Sequence, residues 1–199
     1  RMIRSHYPET LSVFGGPHPT YTPEMVDNDY VDAVCRGEGE IYFTEFVEKL
    51  EQGGDFYDIK NFWFKKKDGS IIKNPMGKLV PELDSNPEPD RKLMYDADKA
   101  LRVRGTKLFM ATRGCPYQCT FCDWGSATFT KLRNYEDEKL FNEIEWFADN
   151  KIPYIDCCDA NFGIFKEDLL TAKKVIELQK SHNYPDTILT ATAKNHKER

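Results

Sequence analysis

Lys107-Leu108-Phe109-Met110-Ala111-Thr112 is a mostly apolar run of strand length, and Arg113-Gly114-Cys115-Pro116-Tyr117-Gln118-Cys119-Thr120-Phe121-Cys122-Asp123-Trp124-Gly125 follows it without a break. The glycine and proline end the strand and begin a loop. Cys115, Cys119 and Cys122 are spaced C-x3-C-x2-C in that loop. A 4Fe–4S cluster is usually held by four thiolates, so three from one loop leave one iron without a protein ligand. An iron of that kind is open to a substrate, as the open position of a catalytic zinc is. A zinc site is the alternative, but zinc favours four protein ligands in paired clusters, and no second C-x2-C or His pair stands nearby. A proline-flanked loop is also a poor place for three core cysteines. Cys115, Cys119 and Cys122 are therefore expected to be metal ligands.

Downstream, helices are expected over 136–150 and 167–180, and strands over 154–158 and 187–193. Leu140, Phe141, Ile144, Phe147 and Ala148 form the inward face of the first helix; Leu169, Leu170, Val175, Ile176 and Leu178 are the apolar residues of the second. The order β-α-β-α-β implies parallel strands joined by right-handed crossovers. Three strands do not close a barrel. Ligands of such folds gather at the carboxyl ends of the strands. Asp159 and Asn161 follow the second strand and are expected to hydrogen-bond a cofactor there, with capping of the next turn as the alternative. Lys194 and Asn195 hold the corresponding place after the third strand, and Cys157 and Cys158 read as buried strand residues.

Upstream, the pattern is again α/β. The first seven residues read as the tail of a helix. Strands over 11–14 and 32–35 end at Gly15-Gly16-Pro17 and near Gly37. A helix over 40–50 places Tyr42, Phe43, Phe46, Val47 and Leu50 on one face and stops at Gly53-Gly54. A hairpin over 61–74 turns at Asp68-Gly69. Residues 75–104 contain Pro75, Pro81, Pro87 and Pro89 among frequent charges and read as a linker. Three segments result: 1–74, the linker 75–104, and 105–199. Gly15 and Gly16 leave the backbone open to close approach by a ligand, an ordinary tight turn being the alternative.

Hydrophobic residues make up 40% of the 199 positions and aromatic residues 13%, enough for a buried core. The net charge is -5 and no basic stripe is present, which argues against nucleic acid as an obligatory partner. Lys65-Lys66-Lys67 reads as the polar tip of the hairpin. No apolar run reaches bilayer length, and Arg1-Met2-Ile3-Arg4 shows no apolar secretory core, so no membrane partner is expected. Three of the six cysteines fall between Cys115 and Cys122, a pattern of metal binding in a reducing compartment, so a cytoplasmic location is expected.

The cysteine loop resembles the C-x3-C-x-aromatic-C signature of the radical S-adenosylmethionine (SAM) superfamily, with Phe121 as the aromatic. The resemblance implies a 4Fe–4S cluster whose open iron chelates SAM through its amino and carboxylate groups. It implies one-electron cleavage to a 5′-deoxyadenosyl radical, and Phe121 against the adenine side, a core aromatic being the alternative. The Gly-Gly-Glu-like segment that many members carry after the second strand is absent; Asp159 and Asn161 stand in its place. A strand ending in Gly-Gly-Pro-His, a strand ending in Arg36-Gly37-Glu38-Gly39-Glu40 before a helix, a proline-rich linker and the cysteine loop are together similar to the cobalamin-dependent radical SAM enzymes. The resemblance then implies a fragment: the C-terminal part of a Rossmann-like cobalamin-binding unit, followed by the first β/α units of a TIM-like radical SAM barrel. Gly15 and Gly16 would pack against the cobalamin nucleotide tail. The Asp-x-His-x-x-Gly motif common in that cobalamin fold does not occur, and His18 does not replace it. Methyl transfer is the leading reaction implied, ring contraction or cyclisation the others. The implied partners are a small-molecule or peptide substrate and an electron donor such as a flavodoxin or ferredoxin. A non-catalytic iron–sulfur module and an inactive remnant are the rival readings; the first needs a fourth ligand, for which Cys157 or Cys158 is the source.

Overall fold

The computed structural model describes residues 2–87, 90–93, 96, 106–117, 119–122 and 131–193. The chain forms two compact units, Arg1–Pro81 and Glu82–Arg199.

The first unit holds α1 (Met2–His6), β1 (Val13–Phe14), α2 (Pro17–Tyr21), a 3-10 turn (Pro23–Asp27), β2 (Ala33–Cys35), α3 (Tyr42–Glu51), β3 (Phe62–Lys65) and β4 (Ile71–Lys73). The four strands make one sheet in the order β1-β2-β3-β4. β1 and β2 are parallel, with Val13 opposite Ala33, while β3 and β4 are antiparallel additions. Alternation along β2 and β3 feeds two cores. Ala33, Cys35, Phe62 and Phe64 face Phe46 of α3; Val34 packs with Val26 and Val31 on the other face, where Trp63 joins them. The helix and hairpin lie where the sequence puts them, with one correction. Phe43 and Leu50 are 45% and 41% exposed, so α3 buries only Phe46 fully. They stand one turn before and one turn after Phe46, which alone packs fully on the sheet.

The second unit holds β5 (Thr106–Phe109), β6 (Thr112–Arg113), β7 (Arg133–Asn134), α4 (Asp137–Asp149), β8 (Tyr154–Phe162), α5 (Asp168–His182) and β9 (Thr187–Thr192). β5, β8 and β9 form a parallel sheet in that order, with Phe109 opposite Cys157 and Ile155 opposite Ile188. The helices cover one face: Leu140, Ile144 and Phe147 of α4, and Val175 and Leu178 of α5, pack on Phe109, Ile155 and Cys157. On the other face Leu108, Asp156 and Leu189 stand in register and exposed.

Two expectations here are corrected. β8 runs to Phe162, four residues beyond the expected end, through an irregularity in its pairing after Cys157. Asp159 and Asn161 thus lie in the strand, not past it. In α5 the buried residues are Asp168, Thr171, Val175 and Leu178, whereas Leu169, Leu170 and Ile176 are 59%, 44% and 49% exposed. The inward positions keep helical spacing, but the first two are polar. Asp168 is buried because its carboxylate accepts the N–H groups of Gly163 and Phe165, at 2.7 and 3.0 Å.

The stretch 75–104 divides at the boundary between the units. Pro75 accepts the Asn61 N–H, and the Gly77 N–H donates to the Asn61 side chain. On the other side of the boundary, Asp84 accepts the Glu136 N–H and the Asn86 carbonyl accepts from Lys139.

Candidate metal centre

The cysteine loop leaves β5 and is closed at its base. β6 pairs antiparallel with β7, Thr112 opposite Asn134, so the chain returns beside its own departure point. The Tyr135 N–H donates to Ala111 O at 3.0 Å on the same closure. Gly114 enters the loop at φ 100°, a conformation that side chains disfavour. Cys115 follows at once and is buried, at 8% exposure. Cys119 is exposed and Cys122 half-buried; the Cys122 N–H donates to Cys119 O at 3.1 Å, folding that part of the loop into a turn.

β8 holds this loop from beside. Asp159 is 2% exposed, and its Oδ1 accepts the N–H groups of Ala111 and Thr112, each at 3.0 Å. Its Oδ2 is buried with no hydrogen-bond partner among the described residues. Burial pushes the Asp159 carboxyl above its usual range, against the pull of the Thr112 and Ala111 donors. Two residues on, Asn161 lies on the same buried side of the strand. Its Nδ2 donates to Cys115 Sγ at 3.1 Å. Both residues expected to face a cofactor are therefore engaged with the cysteine segment itself.

The other expected residues fall as follows. Phe121 is 84% exposed, so the core-aromatic alternative does not describe it. Cys157 is buried in the helix-covered core, and burial, with the Asp159 charge nearby, pushes its thiol up to about 12. Cys158 is half-buried, and burial followed by the Asp156 and Asp159 charges raises its pKa also. All six cysteines are free. Lys194 and Asn195 lie outside the described residues. Among the described residues no three His, Cys, Asp or Glu side chains lie close enough to grip a single metal ion. The loop's donor set is three thiols, the ligand chemistry of an iron–sulfur cluster.

In the first unit, Gly15 and Gly16 are exposed at the carboxyl end of β1. Gly16 has φ 94°, and a Cβ there would meet nothing within 4 Å. One residue that the sequence reading missed organises this end of the sheet. Thr20 is 7% exposed; its hydroxyl donates to Gly16 O at 2.7 Å and accepts the Gly37 N–H at 2.8 Å. It joins the turn after β1 to the turn after β2. Asn61 was missed as well. At 3% exposure and φ 67°, it donates to Glu38 O at 3.2 Å, and its Oδ1 accepts the Gly77 N–H at 2.6 Å. A threonine four residues after a turn glycine, and an asparagine before a strand, are the sequence signals for such roles.

No protein-family model matches the chain. The cobalamin-dependent radical SAM methyltransferase TokK of Streptomyces tokunonensis is 36% identical over 206 aligned residues, which cover 100% of this chain and 30% of TokK. The 2-(S-pantetheinyl)-carbapenam-3-carboxylate methyltransferase of Streptantibioticus cattleyicolor is 33% identical over 205, with coverage of 100% and 30%. The chain thus spans about 30% of the length of these curated relatives. Among solved structures, the cobalamin-dependent SAM radical enzyme OxsB aligns with TM-score 0.64 at 20% identity, over 90% of this chain and 25% of its own. The radical SAM methyltransferase TsrM of Kitasatospora setae aligns with TM-score 0.65 at 15% identity, over 89% and 36%. These structural likenesses show the fold, an α/β architecture with a partial Rossmann-like unit. The cysteine loop at a parallel sheet and the homology along the full length of the chain agree: the chain belongs to the cobalamin-binding radical SAM enzyme family.

Proposed function

We propose that this chain binds a 4Fe–4S cluster through Cys115, Cys119 and Cys122, together with SAM, and serves a cobalamin-dependent radical methyl transfer. The observation that carries the reading is the three-cysteine loop, pinned by Asp159 and Asn161 to a parallel strand within a sequence homologous to methyltransferases. When bound, the cluster supplies one electron for SAM cleavage to a 5′-deoxyadenosyl radical, and cobalamin supplies the methyl group.

The chain's own residues have separable tasks. Three thiolates hold the cluster and leave one iron open. The β6–β7 closure and Asp159 fix the base of the loop. Phe121, exposed beside Cys122, offers an aromatic face to the adenine of SAM. Asp156, on the open face of the sheet, is available to a polar ligand group. Gly15 and Gly16 present bare backbone to the cobalamin nucleotide tail. Cys157 does not serve as a fourth ligand: it is walled into the core under α4 and α5, which leaves Cys158 as the source that a closed electron-transfer cluster would need. The free thiols suit a reducing compartment such as the cytoplasm, and a flavodoxin or ferredoxin is the class of donor that fits. No helix among the described residues is long and apolar enough to cross a membrane.

The test is anaerobic reconstitution with iron and sulfide, followed by SAM and a reductant. Cluster absorbance and formation of 5′-deoxyadenosine, both lost in Cys119→Ala, are expected. A chain that takes up only zinc, or a cluster blind to SAM, overturns the reading. A shift in the visible spectrum of added cobalamin, lost in a bulky Gly16 variant, tests the second cofactor.

A further inference from the structure

We propose that Asn161 sets the reduction potential of the cluster by donating a hydrogen bond to the Cys115 thiolate, an inference that rests on the cluster reading above. The side-chain amide is 3.1 Å from Cys115 Sγ, and both residues are 8% exposed. A metal-bound thiolate has no proton to give, so the amide must present its NH2 group to sulfur. The contact is buried, where a hydrogen bond is electrostatically stronger than in water. Among the described residues, no side chain donates to Cys119 or Cys122, which are exposed and half-buried. Among the described residues, Cys115 alone of the three receives a side-chain donor. One-electron reduction adds negative charge to a cluster and its sulfurs, and a fixed donor stabilises the reduced form more than the oxidised one. The Ile164 N–H donates to the Asn161 backbone carbonyl at 3.1 Å, which ties down the backbone that carries the amide.

Asn161 is thus a positioning and tuning residue, not a ligand. The measurement is an EPR-monitored redox titration of the reconstituted chain, without SAM or substrate. In Asn161→Ala, with cluster content unchanged, the reduced-to-oxidised ratio at a fixed potential is expected to fall about tenfold, equivalent to about 59 mV for one electron. Asn161→Asp, which keeps the shape and loses the donor, is expected to move the same way. The native chain supplies a check that needs no variant: with 15N in the Asn side-chain amide, the reduced cluster is expected to show a nitrogen coupling in pulsed EPR. An unchanged titration, a variant that takes up no cluster, or no coupling in the native chain overturns the tuning role. Failure of the native chain to take up any cluster is a different result, and it overturns the proposed function itself.

Discussion

Asp159 grips Thr112: a carboxylate oxygen buried in β8 accepts the backbone N–H of the first residue of β6 at 3.0 Å. The same oxygen takes the Ala111 N–H. The point where the chain leaves the sheet for the cysteine loop is thereby tied to the neighbouring strand. Removing the carboxylate leaves two buried N–H groups without a partner, so Asp159→Ala is expected to cost about 2–3 kcal/mol, read from urea unfolding. Iron uptake by this variant is expected to fall as well. Unchanged stability and uptake would show that the β6–β7 ladder alone fixes the loop.

The same residue gives a pH dependence with a definite sign. Burial raises the Asp159 carboxyl above its unperturbed 3.8, so the folded chain keeps this proton to higher pH than the unfolded chain does. Its contribution is therefore full below 3.8 and is lost as pH rises through the folded value. Asp159→Asn removes that titration. The native chain is expected to lose stability relative to Asp159→Asn as pH is raised from about 4 to about 7, measured by chemical unfolding at each pH.

Thr20 is expected to matter to the first unit more than its size implies. Thr20→Val keeps the shape, but it leaves the Gly37 N–H and Gly16 O without the hydroxyl between them. A loss of about 1–3 kcal/mol is expected, seen as a lower Tm. Thr20→Ser, which retains the hydroxyl, should recover most of it.

Gly16→Ala separates strain from clash. A Cβ there has open space around it, yet φ is 94°. The expected cost is about 1–3 kcal/mol from backbone strain alone. Gly15→Ala, whose Cβ would sit 3.8 Å from Cys35 O in ordinary contact, is expected to cost less. Equal losses at the two positions would contradict the conformational argument.

Thiol chemistry should sort the cysteines by burial. Cys35 and Cys157 are pushed up to about 11 and about 12, mainly by burial, so they remain protonated and weakly nucleophilic near neutral pH. In the metal-free chain iodoacetamide is expected to label Cys119 first. Cys35 and Cys157 are expected to react only on unfolding, as mass spectrometry of time points will show.

Much of this was legible in the residues. Helical and strand periods located α3, α4, the hairpin and the three parallel strands to within a few positions; α3, α4 and β8 bury residues on the patterned face, whereas β9 has none fully buried. The reading failed where burial is polar. Asp168 and Thr171 turn α5 inward, and no hydropathy pattern marks a carboxylate buried to cap the turn before it. β8 ran past its expected end because Asp159 and Asn161 look like turn residues; in the structure their side chains bond the Ala111 and Thr112 backbone and the Cys115 sulfur.

The sequence by itself determined the chemistry offered: three thiols at C-x3-C-x2-C spacing, on a loop after a strand, in an α/β chain. Those depend on local spacing, which a sequence displays in full. Only the tertiary structure decided what Asp159 and Asn161 do. The sequence reads them as strand-end groups for a cofactor or for capping the next turn, yet one grips the base of the loop and the other the sulfur of Cys115. The physical reason is distance along the chain: these bonds join residues 46 to 48 positions apart, brought together by the parallel pairing of β5 and β8.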